Sequence, residues 1–284
     1  MRKVKNAAVY IVLILASLIS VFPLYWMIAA ATNNSTDILG GKLTIGANLA
    51  SNLTNLLARQ QIGRAFSNSM FYSVILSVLS LLICSIAGYA FEIYHDKAKD
   101  ALMSILLLAM MVPFAATLIP LFKMFTGLHL QSTWIAYVLP TLSTPFLIMM
   151  FRQSARSFPT EIIEAARIDG LGELQIFFKI FMPTMKSTYA AAMTVTFMNA
   201  WNNYLWPKVI MMDDTSQTMP MLVANLSSGY SIDYGVLMLG VLPMVNRYHG
   251  TLTPPRIAPS RPFREKTEVS LYPASASSQA AVTT

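Results

Sequence analysis

The chain has 284 residues, of which 55% are apolar and only 12% charged, and its mean hydropathy is +0.53. A soluble domain carries about twice that charged fraction, so a water-exposed globule is excluded, and the single cysteine excludes both a disulfide framework and a multi-cysteine metal site. The net charge of +7 does not point to a nucleic-acid partner, because the 20 Lys and Arg lie between long uncharged runs rather than along one face. The composition is that of an integral membrane protein.

A helix needs about 20 apolar residues to cross a hydrocarbon core of roughly 30 Å. Five stretches meet that length: residues 7–31, 70–91, 101–122, 132–151 and 188–207, none of which contains Asp, Glu, Lys, Arg or His. The expected fold is therefore all-α, a polytopic bundle of membrane helices. The first stretch follows Arg2, Lys3 and Lys5 and precedes Ala29, Ala30 and Ala31, as a cleaved leader would. Its apolar length exceeds that of a leader's core, and it reads as a signal-anchor. Pro23, Pro113, Pro120, Pro140 and Pro145 each remove a backbone donor within these stretches. They read as ordinary kinks that neighbouring helices satisfy, in preference to broken helices lining a path.

With the N-terminus inside, the inner segments hold ten basic residues: Arg2, Lys3, Lys5, Lys97, Lys99, Arg152, Arg156, Arg167, Lys179 and Lys186. The outer loops hold five, namely Lys42, Arg59, Arg64, Lys123 and Lys208, and the last outer loop is acidic. This bias places the N-terminus in the cytoplasm.

Between the fourth and fifth stretches lie 36 residues, 152–187, which are more than a linker. Pro159 suits a first helical position, and Glu161 would then favour the helix dipole. Ile162, Ala165, Ala166 and Asp169 recur at helical spacing, and Gly170 falls where a left-handed capping glycine belongs. A second short helix should carry Leu174, Phe177, Phe178 and Phe181 on one side, with Pro183 stopping it. Two helices joined at a glycine make a knob on the cytoplasmic side. Glu161, Glu164, Asp169 and Glu173 nearly balance the local bases, so a protein partner is expected rather than the lipid surface.

The order Glu164-Ala165-Ala166, Asp169-Gly170, nine residues, then Ile180-Phe181-Met182-Pro183 resembles the EAA loop of ABC importer permeases. Residues 164–174 are similar to the sugar-importer version. Met182 stands where Leu is usual and Ser187 where a second proline is frequent. Trp201-Asn202-Asn203-Tyr204-Leu205-Trp206-Pro207 resembles the fifth-span signature of maltose-type carbohydrate permeases, the second inner-membrane member in particular. The resemblance covers residues 1–245. It implies a half-channel in a bacterial cytoplasmic membrane, paired with a homologous permease subunit. It also implies a docked cytoplasmic ABC ATPase dimer and an extracytoplasmic sugar-binding protein. The EAA loop would be a lever seated in the ATPase, with Glu164, Ala165, Ala166, Asp169, Gly170, Ile180 and Pro183 as its coupling residues. Glu164 would pair across that interface.

The chain's own residues offer no enzyme. No phosphate loop occurs, since Gly40-Gly41-Lys42-Leu43 has the wrong spacing, so the energy must come from a partner. His95, His129 and His249 are scattered, Cys84 reads as a small core residue, and no cofactor is called for. An ion-coupled secondary transporter is the alternative, but it normally carries ionisable residues at mid-membrane depth. Sugars bind by stacking C–H faces on aromatic rings while amides bridge their hydroxyls. Asn199, Asn202, Asn203 and Tyr204 are the candidates for the substrate path, and Trp206 reads as part of the outer aromatic belt.

Near its end the chain departs from this pattern. The apolar run 235–245 is 11 residues, about 16 Å of helix, and should form a truncated sixth span. From Asn246 on, five prolines and five Arg or Lys lead into a Ser/Ala-rich end. Residues 246–284 read as a disordered tail, the mark of a shifted frame, a truncated gene or a divergent terminus.

Overall fold

The computed structural model describes residues 2–228 and 232–251, and every regular element among them is helical. Helix α1 (Arg2–Ala31) is followed by two short helices, α2 (Ser35–Leu39) and α3 (Leu49–Arg59). The 32-residue α4 (Ile62–Ile93) then runs about 48 Å, longer than any membrane core requires. Next come α5 (Lys97–Ala109), α6 (Phe114–Gly127), α7 (Trp134–Val138), which closes in a 3-10 turn at Leu139–Thr141, and α8 (Pro145–Arg156). The segment between the expected fourth and fifth spans holds α9 (Thr160–Ile168), α10 (Glu173–Ile176) and α11 (Met182–Thr184). Helix α12 (Lys186–Trp201), α13 (Leu205–Ile210), α14 (Met219–Ser227) and α15 (Tyr234–Thr251) complete the fold.

The expected spans take three forms. Helices α1 and α4 are long, apolar and unbroken, and Pro23 is accommodated inside α1. The third and fourth expected spans are bent pairs: α5 and α6 meet at 97°, and α7 and α8 at 54°. Pro113 is the N-cap of α6 and Pro145 opens α8, so these two prolines start new helices after a break where ordinary kinks were expected. The fifth span breaks as well, because α12 stops at Trp201 and the chain resumes helix only at Leu205. The sixth element has an apolar part, Tyr234–Met244, of the length expected for 235–245, and its helix continues to Thr251, so the expected boundary at Val245 falls inside α15. The expectation for the tail beyond Thr251 lies outside the described residues.

Helix α4 is the spine, packed against α8 and α12, while α15 packs on α1 and α3. Its packing face is a row of small residues: Ser69, Ser73, Ser77, Ser80, Cys84 and Gly88 are all buried, three or four positions apart. Lipid supplies no hydrophobic force between helices, so small residues that let backbones approach do the packing. The approach is closest at Gly88, where a Cβ would lie 2.6 Å from Phe151 Cβ and 2.7 Å from the Arg152 nitrogen. Cys84 is the buried residue the sequence implied, and its thiol faces the Leu142 carbonyl that the α7–α8 break exposes.

Hydrogen bonds fix both ends of the bundle. At one end, Arg152 on α8 bonds Glu92 on α4 (3.1 Å) and Asp100 on α5 (2.5 Å), and His95 joins Asp100 at 2.9 Å. At the opposite end, Asn52 donates to the carbonyls of Ala31 and Asn33, and Asn68 donates to those of Thr215 and Gln217.

Candidate functional site

The knob grows from the α4–α8 end. Pro159 is the residue before α9 rather than its first helical position, and Glu161 lies in the first turn. The helix ends in a Schellman motif: the Gly170 N–H donates to Arg167 O and the Leu171 N–H to Ala166 O, each at 3.0 Å. Gly170 has φ +82°, the left-handed conformation expected of it. Arg167 bonds Glu173 across this turn at 2.7 Å, and its guanidinium lies 6.0 Å from the Tyr94 ring. The Arg167 guanidinium holds the Glu173 carboxyl below its usual range. The pair therefore contributes above the ordinary carboxylate range, and that contribution is lost as pH falls through the lowered value.

Pro183 does not stop the second helix. From Phe177 to Phe181 the backbone is π-helical, with the Met182 N–H reaching Phe177 O, and helix continues through Met182–Thr184. Only Met185 leaves it before α12 begins. Proline lacks the N–H that an α-turn needs, and the widened turn absorbs it. The expected apolar side also differs. Phe177 and Phe181 are buried with Ile176, whereas Leu174 and Phe178 face outward. The buried pair grips Tyr89 of α4, at centroid distances of 5.4 Å and 4.8 Å. The knob is thus joined to the spine helix by an apolar cluster that also includes Phe158, Ile163 and Ala166.

The knob carries an open groove of about 550 Å³, lined by Glu161, Ile162, Ala165, Ala166, Asp169, Leu171 and Ile180. Of the candidate coupling residues, Ala165, Ala166, Asp169 and Ile180 meet in this groove. Glu164, Gly170 and Pro183 are exposed elsewhere on the knob.

A second concavity of about 260 Å³ lies between α4, the α7–α8 break and α12. Asn199 and Asn203 line it, together with Ser80, Thr141, Thr144, Thr196 and Phe146. Asn202 and Tyr204 do not line it; Asn202 turns back to cap α12 through the Met198 carbonyl, at 2.9 Å. Trp206 is no belt residue. It is fully buried, donates its indole N–H to Ala136 O at 2.8 Å, and packs edge-on against Phe125. The prolines that looked like ordinary kinks also gain a role, since Thr141, Thr144 and Phe146 reach the cavity because the helix is broken there.

Residues 85–245 match the family described as the binding-protein-dependent transport system inner membrane component. The chain belongs to that family. Its members are transport components rather than enzymes, and this permease is accordingly a membrane protein. It is 41% identical over 241 residues to the lactose transport system permease protein of Rhizobium radiobacter, covering 85% of this chain and 88% of that one. It is 31% identical over 251 residues to the arabinooligosaccharides transport system permease protein of Bacillus subtilis strain 168, covering 85% and 89%. The sn-glycerol-3-phosphate permease of Yersinia enterocolitica is 25% identical over 243 residues, covering 82% of this chain and 86% of that one. The permease fold also superposes on a bacterial ABC transporter involved in import of the acidic polysaccharide alginate. There the TM-score is 0.76 at 18% identity, over 88% of this chain and 96% of that one.

Proposed function

We propose that the permease forms half of the translocation path of an ATP-driven sugar importer and couples to a separate ATPase through its knob. The arrangement of the knob carries the reading. A glycine-capped helix lines an open groove with Ile162, Ala165 and Asp169, while its Ile163 and Ala166 pack with Phe177 and Phe181 against Tyr89 of α4. Closure of an ATPase dimer beneath such a knob would move it as a lever, and the aromatic clamp and the continuous α10–α12 backbone would pass the motion to α4 and α12. The partners are then a homologous permease, an ABC ATPase dimer and an external sugar-binding protein. The relatives named for lactose and arabinooligosaccharides support a sugar as the cargo.

In this reading α1, α4, the two bent pairs and α12 cross the bacterial cytoplasmic membrane, with α15 as a sixth, shorter apolar span. The N-terminus and the knob share the cytoplasmic side. Glu164, Ala165, Ala166, Asp169, Gly170, Ile180 and Pro183 form the coupling surface. Asn199 and Asn203 face the path, and Asn202 and Tyr204 flank its mouth at the α12 break. Among the described residues the cavity lining contains no ionisable side chain, which favours ATP over an ion gradient as the energy source.

Cells expressing the chain with its partner subunits should keep taking up sugar when a protonophore collapses the proton gradient. Uptake should fall to background on ATP depletion. The opposite pattern would replace this reading with ion-coupled transport.

A further inference from the structure

Resting on the reading that α1 crosses the membrane, we infer that α3 and the loop before it form a foot inserted into the outer leaflet, at the boundary between lipid headgroups and acyl chains. Leu39, Leu43 and Ile45 ahead of α3, and Leu49, Leu53 and Leu57 on it, are all exposed, Ile45 at 69% and Leu57 at 61%. The three α3 leucines lie four residues apart and make one stripe, with the exposed Ser51 and Ala58 on the opposite side of the helix. A roll of α3 would bury that stripe, and two contacts prevent it. Asn52, which is buried, donates its amide to Ala31 O at 2.9 Å and Asn33 O at 3.0 Å, so the face beside the stripe is pinned to the end of α1. Gly235 in the first turn of α15 closes over the same amide, where a Cβ would lie 2.5 Å from Asn52 Nδ2. The leucines are therefore held outward.

The depth of the loop says what covers them. The Tyr25 hydroxyl donates to Leu43 O at 2.9 Å, Asn33 Nδ2 donates to Thr44 O at 2.7 Å, and the Gly46 N–H donates to Thr32 Oγ1 at 2.8 Å. The chain thus doubles back along α1 before α3 begins. Tyr25 lies six residues before Ala31, about 9 Å along the helix, and helical side chains lean toward the N-terminus, so Leu43 sits about that far inward from the end of α1. The apolar part of α1, Val9–Ala31, has 23 residues, about 34 Å, close to a core of roughly 30 Å. Leu43 therefore reaches the outer edge of the core, within the roughly 5–10 Å to which interfacial helices sink their apolar faces. Tyr25 and Ile28 on α1 are exposed as well, so the foot continues the apolar surface of the span. A soluble protein that docks and leaves would need a face no more apolar than ordinary surface. Helix α3 has no acidic residue and one base, Arg59 at its end, so inserted leucines rather than attraction to lipid charge hold the foot in place.

The test uses the full chain assembled with cysteine-free partner subunits in phosphatidylcholine vesicles. Leu53→Cys and Ser51→Cys, each in a Cys84→Ser background, carry one bimane label on opposite sides of α3. Both positions are exposed, so neither change disturbs packing. Lipid brominated near the head of its acyl chains should quench the label at position 53 roughly twofold or more above that at position 51. Aqueous iodide, present on both sides of the membrane, should show the reverse order. Replacing part of the lipid with anionic phosphatidylglycerol should leave both orders unchanged. Iodide quenching at position 53 equal to that at 51 would leave the stripe in water, and shielding of 53 from both quenchers would put a protein subunit on it. Either result overturns the foot, as does lipid contact that appears only with phosphatidylglycerol. An Ile19→Cys label, near the middle of the apolar part of α1, reports on the underlying reading separately. Iodide quenching there would overturn the span and the foot with it, whereas protection there beside a wet position 53 overturns the foot alone.

Discussion

Gly170→Val is expected to cut sugar uptake at least tenfold while leaving the amount of chain in the membrane unchanged. Gly170 has φ +82°, and a Cβ added there would meet nothing within 4 Å. The substitution therefore creates no clash. Its cost is the left-handed backbone itself, about 1–2 kcal/mol for a residue with a Cβ and more for a β-branched one. The turn relieves that strain by changing conformation, which breaks the two Schellman bonds and swings α9 away from α10. The groove that holds Ala165, Ala166, Asp169 and Ile180 loses its shape, and the Arg167–Glu173 contact is pulled apart. Gly170→Asn is the informative control, because asparagine tolerates this conformation and should retain most of the uptake. Immunoblotting of membranes beside uptake assays separates coupling from expression.

Gly88→Val should act at the opposite level, on folding rather than on coupling. Its Cβ would fall 2.6 Å from Phe151 Cβ, 2.7 Å from Arg152 N and 2.8 Å from Ile148 O. Two of these neighbours are backbone atoms of α8, which cannot turn aside, so α4 and α8 must separate. The separation loosens the buried serine and cysteine row on α4 and pulls Arg152 from Glu92 and Asp100. Overpacking of this kind costs about 1–3 kcal/mol, and the disturbed ion pairs add to it. The yield of detergent-stable protein should collapse. Gly63→Val is the matched control on the same helix, since a Cβ there meets nothing within 4 Å, and it should be recovered at near-normal yield.

The parts of the fold that depend on local chemistry were legible in the chain. Apolar run length announced α1 and α4, and the Gly170 turn followed from a single residue type at the end of a helical pattern. Features set by tertiary packing were harder to read. Trp206 next to Lys208 looks like an interface anchor, but Ala136 on a distant helix offers its carbonyl and Phe125 its ring, and the side chain turns inward. Pro183 looks like a helix stop, and a five-residue π-turn carries the backbone through it. The small-residue spacing from Ser69 to Gly88 is present in the sequence, but serines on an apolar helix resemble harmless filler until a second helix lies against them. The path residues divided in the same way. Asn199 and Asn203 project into the cavity, whereas Asn202 is taken by its own helix end and Tyr204 falls outside it. Thr141 and Thr144 carried no sequence signal of their own beyond lying between Pro140 and Pro145. Their place in the cavity depends on the 54° bend, an angle fixed by how α7 and α8 pack on α4.

The most direct measurement of the coupling claim is a cross-link from the knob. Asp169 lines the groove on the knob and is exposed, so an Asp169→Cys variant in a Cys84→Ser background presents one reactive thiol at the proposed ATPase contact. In inside-out vesicles containing the whole complex, a short thiol–amine cross-linker should join this chain to the ATPase subunit. A membrane-impermeant maleimide should label the same thiol only from the cytoplasmic face. Labelling from the external face, or an accessible cytoplasmic thiol that never cross-links to the ATPase in a complex with full ATP-driven uptake, would contradict the account.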